Sequence, residues 1–298
     1  MFFTGDSIIR NDSPNPLTLS GNLNASGSVT LTGTGAVVLG GSNSFESFIT
    51  NAAGVLKVSN AAALSGSPEI SIASGTELDT SALGSTGLVL SNGQTLDGNP
   101  LVNGNLTIGN GATLAANSIS TVMTFSNGLT FNNGAVCSLQ LSKSPMTNSL
   151  IVALGTVTYG GTLQLTNASA TPLAAGDSFT LFSASAYSGA FTNIVPSTPG
   201  PGLFWDTSGL ATTGTLEVVP GGPLVMNLPR VSGGNVVFTA TGGQPNGTFY
   251  LMTTTNISLP LAQWTRMATN TFDGSGYFVF TNATGSNGPV RYYRLQAQ

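Results

Sequence analysis

The chain has 298 residues, of which 6% are charged, 40% are hydrophobic and 39 are glycine, and its net charge is −4. That length allows a sizeable core, the hydrophobic share excludes intrinsic disorder, and no apolar run approaches the ~18 to 20 residues that span a bilayer as a helix. With no histidine and one cysteine, Ser-His-Asp triads, histidine metal sites, thiolate clusters and an intrachain disulfide are all excluded, and no cofactor is expected.

Met1 to Arg10 carries no basic leader, apolar core or small-residue cleavage site, and reads as the interior of a repeat in a mature chain or a piece of a longer one. Residues 7–45 follow with Leu17-Thr18-Leu19, Leu23, Val29-Thr30-Leu31 and Val37-Val38-Leu39, each set off by glycine or serine. These are short strands with period 2 and no helical period. No charge occurs between Asp12 and Glu46, so the strands lack the lysines that normally blunt a sheet edge. Nothing here forms an amphipathic cap, and the first rung is expected to join further repeats or another copy of the chain.

Val55 to Val58 and Ile70 to Leu78 continue the theme, and the latter matches Leu106 to Leu114 at its apolar positions and its glycine. The chain is organised around Gly104 to Leu141, where Asn105-Leu-Thr-Ile-Gly-Asn-Gly-Ala112 returns as Gly128-Leu-Thr-Phe-Asn-Asn-Gly-Ala135. Leu106 and Ile108 share one face, and a strand this short can bury that face only by stacking on copies of itself. Asn-Gly at 92–93, 103–104, 110–111, 127–128 and 133–134 supplies positive-φ corners or hairpin turns. The pattern predicts a parallel β-helix over 1–219, of about ten rungs at ~22 residues each. Cys137, in the run Val136-Cys137-Ser138-Leu139, reads as a small hydrophobe.

From about residue 145 the strands become aromatic, as expected where a solenoid closes. Gly161-Thr162-Leu163-Gln164-Leu165, Ala175-Gly176-Asp177-Ser178-Phe179-Thr180-Leu181-Phe182, Gly189-Ala190-Phe191, Gly202-Leu203-Phe204-Trp205-Asp206 and Thr213-Gly214-Thr215-Leu216 follow in order. These segments resemble the closing rungs of autotransporter-associated β-strand repeat proteins, and the resemblance covers roughly 7–219. It implies a right-handed parallel β-helix of a secreted or surface bacterial protein. No outer-membrane barrel follows, so self-translocation is not implied.

Pro220 to Pro223 reads as a linker. Beyond it, strand-like runs at 236–238, 248–252, 263–268, 277–281 and 291–295, with turns at Pro245-Asn246-Gly247 and Asp273-Gly-Ser-Gly276, predict a β-sandwich over 224–298. Ending in Arg291-Tyr-Tyr-Arg-Leu295, it resembles the immunoglobulin-like modules that close secreted bacterial repeat proteins. This part holds four arginines against one acid, Asp273, for a net +3, whereas residues 1–223 hold three basic and ten acidic residues, a net −7. Neither balance is a nucleic-acid footprint.

Glu69, Glu77 and Asp79 form the densest acidic group, with Lys57 the nearest base in sequence. On a β-helix they could line the groove of a glycosidase or polysaccharide lyase or hold Ca²⁺; their ordinary role is a solvated turn edge. Tyr250 and Trp264, with Tyr277, Tyr292 and Tyr293, could form a carbohydrate platform, although a small sandwich needs most of its aromatics for its core. Tyr292 and Tyr293 must point to opposite faces. Trp205-Asp206 reads as a closing tryptophan sooner than a sugar-binding pair. Glycosylation sequons, those at Asn24, Asn105 and Asn246 among them, are expected by chance in such a composition.

The sequence therefore predicts an all-β protein, a right-handed parallel β-helix followed by a small β-sandwich. Its expected role is that of a non-enzymatic extracellular or cell-surface stalk, spacer or adhesin-like module. Expected partners are the chain itself, head to tail or edge to edge, or surface glycans, with no nucleic acid and no transmembrane segment. The alternative is a carbohydrate-binding or polysaccharide-degrading protein using a solenoid groove or the C-terminal aromatics.

Overall fold

Runs such as Val29-Thr30-Leu31-Thr32 alternate apolar and hydroxyl side chains, bury every second residue, and stop at a small polar corner. A computed structural model of the chain describes residues 1–200, 202–222, 224–243, 247–273, 276–283 and 291–297. They form two compact units, Met1–Pro201 with Trp205–Val219, and Gly202–Phe204 with Pro220–Gln298. The first is a right-handed parallel β-helix, and the second is a β-sandwich of smaller antiparallel sheets.

Nine strands, from Ser7–Arg10 to Asn193–Val195, run in parallel along the first face of the β-helix. Their register stacks one inward column, Ser7, Val29, Ile49, Ile70, Leu96, Leu114, Cys137, Leu163 and Ile194. Every member from Val29 to Leu163 is buried. Cys137 thus fills one step of an aliphatic ladder between Leu114 and Leu163, and burial pushes its thiol far up, out of the reactive range.

On the second face, Leu17, Val37, Leu56, Leu78, Val102, Phe125, Ala153 and Ala184 make the corresponding column. A third face is built from Phe2–Phe3, Asn24–Ala25 and Ser44–Phe45, and later from Leu88–Leu90, Leu106–Ile108 and Leu129–Phe131. Burying one apolar side chain at each step stabilises the stack by roughly 1.5–3 kcal/mol before chain entropy is counted.

The repeat of Leu106-Thr107-Ile108 as Leu129-Thr130-Phe131 is a true rung, since Leu106 pairs with Leu129 and Ile108 with Phe131. The match of Ile70 with Leu106 is not. Ile70 lies on the first face and pairs with Leu96, whereas Leu106 lies on the third. The same strand, glycine turn and strand occur at different corners, so similarity in sequence does not mean adjacency. Rung lengths also vary: Thr95 stacks on Thr113 after a short circuit of chain, but Thr162 reaches its partner only at Asn193. Among the described residues the path therefore holds nine rungs instead of ten. Length goes into the long strands Val136–Lys143 and Leu150–Tyr159 and the hairpin between Val136–Lys143 and Met146–Asn148.

The Asn-Gly pairs are corners. Strands on either side of Asn92-Gly93 pair with other rungs and not with each other. Three such corners stack directly, with the Gly93 N–H donating to the Gly111 carbonyl at 2.9 Å and the Gly111 N–H to the Gly134 carbonyl at 3.0 Å. Gly111 has φ +73°, and an added Cβ would fall on the side chain of Asn92. Buried amides tie other rungs together. Asn43 accepts from the Leu23 N–H at 2.9 Å and donates to the Ala63 carbonyl at 2.8 Å, linking three successive rungs. Gln94 donates to the carbonyls of Leu64 and Ser67 at 2.8 and 3.0 Å. A buried amide without such partners would cost about 1–3 kcal/mol, which is why neutral polar residues are tolerated inside.

Larger rings gather where the rungs end. Tyr159 packs on Phe182 and Phe191, with centroids at 5.0 and 4.9 Å, and its hydroxyl donates to the Leu210 carbonyl at 3.0 Å. Trp205 is buried and its indole N–H donates to the Pro196 carbonyl at 2.9 Å. Pro220, expected to open the linker, instead ends the strand Thr215–Pro220, a position where proline needs no ladder N–H. Gly202–Phe204 group with the second unit, where the Gly221 N–H donates to the Gly202 carbonyl at 2.8 Å.

In the sandwich, Val225–Met226, Arg230–Ser232, Asn235–Thr241 and Phe278–Ala283 form one sheet. Thr248–Thr254, Thr265–Thr271 and Tyr292–Ala297 form the other. Phe238, Ala240 and Phe278 from the first meet Phe249 and Leu251 from the second, with Phe272 beside them. Phe249 lies 4.4 Å from Phe278 and 4.6 Å from Phe272 by ring centroid. All five expected strands appear. The run at 263 starts later, because Leu261–Gln263 forms a 3₁₀ turn. Pro223, Pro245, Asn246, Gly274 and Ser275, parts of the expected linker and turns, lie outside the described residues.

Ile108→Asp and Phe131→Asp each place a carboxylate among fully buried neighbours, and thermal or urea unfolding should show a loss on the order of 3 kcal/mol or more. Gly111→Ala should cost about 1–3 kcal/mol by the same measurement, through the strained φ and the Asn92 contact. Wild-type stability in all three variants would contradict the register given above.

Candidate functional site

Glu69 opens the strand Glu69–Ile72, in which Ile70 and Ile72 point inward, so Glu69 and Ser71 point outward. On the next rung Asp97 pairs with Ser71, and Thr95 with Glu69. Glu69 and Asp97 are therefore diagonal neighbours on the outer surface of the first face. Burial, followed by the like charge of Asp97, raises the Glu69 carboxyl above the usual carboxylate range. One Asp97 oxygen accepts from the Asn117 amide at 2.9 Å; the other is buried with no hydrogen-bond partner.

Glu77 and Asp79 sit past the corner, on the second face, with Leu78 pointing inward between them. Asp79 is 7% exposed and lies one rung from Lys57, whose ammonium donates to it at 2.8 Å; the Ser81 N–H donates at 2.9 Å. Burial opposes ionisation of Asp79, but the hydrogen bonds from Lys57 and Ser81 outweigh it and hold the carboxyl below its ordinary range. Asp79 is a rung-to-rung tie. Glu69 thus does not join Glu77 and Asp79, and among the described residues no group of three or more acidic, cysteine or histidine side chains is placed to hold a metal ion. The acid that does stand near Glu69 is Asp97, a full rung along the chain. Alternation about Leu96 marks it as outward-facing, but only the register shows which rung it neighbours.

The aromatic candidates also separate. Tyr250 lies on the outer side of the second sandwich sheet, with the Arg266 guanidinium 3.6 Å above its ring. Trp264 follows the 3₁₀ turn Leu261–Gln263 and is half-buried, its indole N–H donating to the Leu259 carbonyl at 2.9 Å. It clasps its own turn. Tyr293 packs on Phe238 at 4.6 Å in the core, while Tyr292 is 37% exposed, so the adjacent pair divides between faces. Asp206 accepts from the Ser208 N–H at 2.9 Å and caps a turn. Of the sequons, Asn105 is engaged with Ser85 and Gly128 across rungs, and Asn246 lies outside the described residues.

A cleft opens at the aromatic end of the β-helix, lined by Tyr159, Phe191, Ile194 and Leu210 among others. Its one titratable group, the Tyr159 phenol, is tied to the Leu210 carbonyl and pushed well above its usual range, first by burial. Such a phenol packs; it does not exchange protons near neutrality.

The two carboxyls give opposite pH signatures. A raised Glu69 means that the folded state binds the proton more tightly, so stability falls as pH rises through the carboxylate range. Glu69→Gln should therefore stabilise the protein at neutral pH and make no difference in strong acid. A depressed Asp79 contributes stability that is present at neutral pH and lost as pH falls through its lowered range. Asp79→Asn should destabilise at neutral pH, with the difference closing in acid. Unfolding midpoints measured from acid to neutral pH check both signs.

No family model matches the chain, and no curated protein matches it at a significant level.

Proposed function

We propose that the protein is a non-enzymatic structural module of the cell exterior, a stalk, spacer or adhesin-like element, as its resemblance to autotransporter-associated β-strand repeat proteins implies. The observation that carries this reading is the unbroken inward column of the first face, with Val29 to Leu163 buried at every step. A backbone paired continuously on several faces resists bending, and a chain with 6% charged residues offers salt little to disrupt. The edge of a terminal rung presents unpaired N–H and C=O groups that a further rung can satisfy, from the same chain or from a second copy head to tail. The C-terminal sandwich is read as the immunoglobulin-like module that closes such a chain.

A second reading, action on a polysaccharide, draws on the Glu69 and Asp97 pair, two outward carboxyls on neighbouring rungs, since sugar hydrolysis uses a pair of carboxyl groups. The structural reading predicts that antibodies to the chain label intact, unpermeabilised cells of its host. It also predicts that the purified protein releases no reducing ends from neutral or acidic polysaccharides. Labelling only after permeabilisation would contradict the location. Release of reducing ends that Glu69→Gln abolishes would replace the scaffold with the enzyme.

A further inference from the structure

The second sheet of the sandwich concentrates positive charge on its outer side. Its central strand, Thr248–Thr254, turns Phe249 and Leu251 into the core and Tyr250 and Met252 outward. Across one edge Met252 pairs with Arg266, and across the other with Arg294. Tyr250 lies between Thr269 and Gln296, and Thr254 pairs with Tyr292. The outward surface therefore presents two exposed arginines about 10 Å apart at the backbone, the width of two strand spacings. Tyrosine and amide side chains surround them.

Among the described residues neither arginine takes part in an ion pair. The pairs there are Arg10 with Asp12, Lys57 with Asp79 and Lys143 with Asp177, all in the first unit. The one Asp or Glu after residue 223 is Asp273, which accepts from the Tyr277 N–H at 3.0 Å in its own turn. Arg266 is held against Tyr250 by a cation–π contact at 3.6 Å, which fixes the guanidinium over the ring while the residue stays exposed.

We propose that this surface binds an acidic polysaccharide, with Arg266 and Arg294 receiving uronate carboxylates on one chain. A guanidinium matches the planar carboxylate with two parallel hydrogen bonds. A folded protein is a poorer fit, because an interface needs a desolvated apolar centre and the central side chain here, Met252, is only 8% exposed. Nucleic acid is poorer still, since two or three phosphate contacts give little affinity at physiological salt. A polymer that repeats its carboxylate suits two fixed cations, gaining affinity by repeated engagement instead of by buried area. This inference is independent of the scaffold reading and of the Glu69 and Asp97 pair.

The test is affinity electrophoresis of the full chain through gels containing polygalacturonate, its methyl ester, dextran, dextran sulfate or double-stranded DNA. Polygalacturonate should retard the protein in a salt-sensitive way, while the methyl ester and dextran should not. Arg266→Gln with Arg294→Gln should weaken retention about tenfold or more, and Arg230→Gln, on the other sheet, should leave it unchanged. Should the double glutamine variant misfold by circular dichroism, Arg266→Lys with Arg294→Lys keeps the charge and removes the fork, and should weaken retention partly. Undiminished retention in a folded double variant, equal retention by dextran, or tighter retention by dextran sulfate or DNA would each overturn the assignment.

Discussion

A strand of three or four residues with one apolar side cannot exist alone, because ordering its backbone costs about 1–2 kcal/mol per residue and its N–H and C=O groups remain unpaired. The β-helix removes both penalties at once. Each rung satisfies its backbone on the rungs before and after, and places one aliphatic side chain on the next, as in Ile49, Ile70, Leu96 and Leu114. Everything else in the first unit follows from keeping that stack in register. A slip of one residue would turn Thr50, Ser71 and Asp97 inward and the aliphatic column outward.

The composition now has a physical cause. Corners that stack on corners leave no room for side chains, so glycine recurs, as Gly111 beneath Asn92 shows. Rungs that stack every few ångströms would set like charges side by side, so charge is scarce and neutral amides such as Asn43 and Gln94 make the ties between rungs. Asp79, where a charge does enter a wall, has its partner Lys57 one rung away. Glu69 and Asp97 are the exception, two acids on neighbouring rungs, and burial, with the like charge of Asp97 added, raises the Glu69 carboxyl.

Strands, their inward residues and the sandwich were legible in the sequence, because period-2 alternation names the buried face directly. Leu106, Ile108 and Phe131 are inward as the alternation requires, and Tyr292 and Tyr293 divide between faces for the same reason. Register was not legible. It depends on rung length, which is short between Thr95 and Thr113 and long between Thr162 and Asn193, so the match of Ile70 with Leu106 pointed to a stacking that does not exist. The same gap hid the site. Glu69, Glu77 and Asp79 are close in sequence but lie on both sides of a corner, while Asp97 is distant in sequence and adjacent in space. The contact of Arg266 with Tyr250 is likewise a cross-strand fact, invisible until the strands of the sheet are paired.

The parallel register of the first face is the claim on which the rest stands. Thr30, Ser138 and Gln164 belong to one outward column, Ser138 five strands from Thr30 and Gln164 six. Spin labels at Thr30 and Ser138, and separately at Thr30 and Gln164, report these separations by double electron–electron resonance. The account predicts two narrow distributions, centred near backbone spacings of about 24 and 29 Å and differing by one strand spacing. Broad distributions, or a second distance that exceeds the first by far more than one spacing, would contradict it.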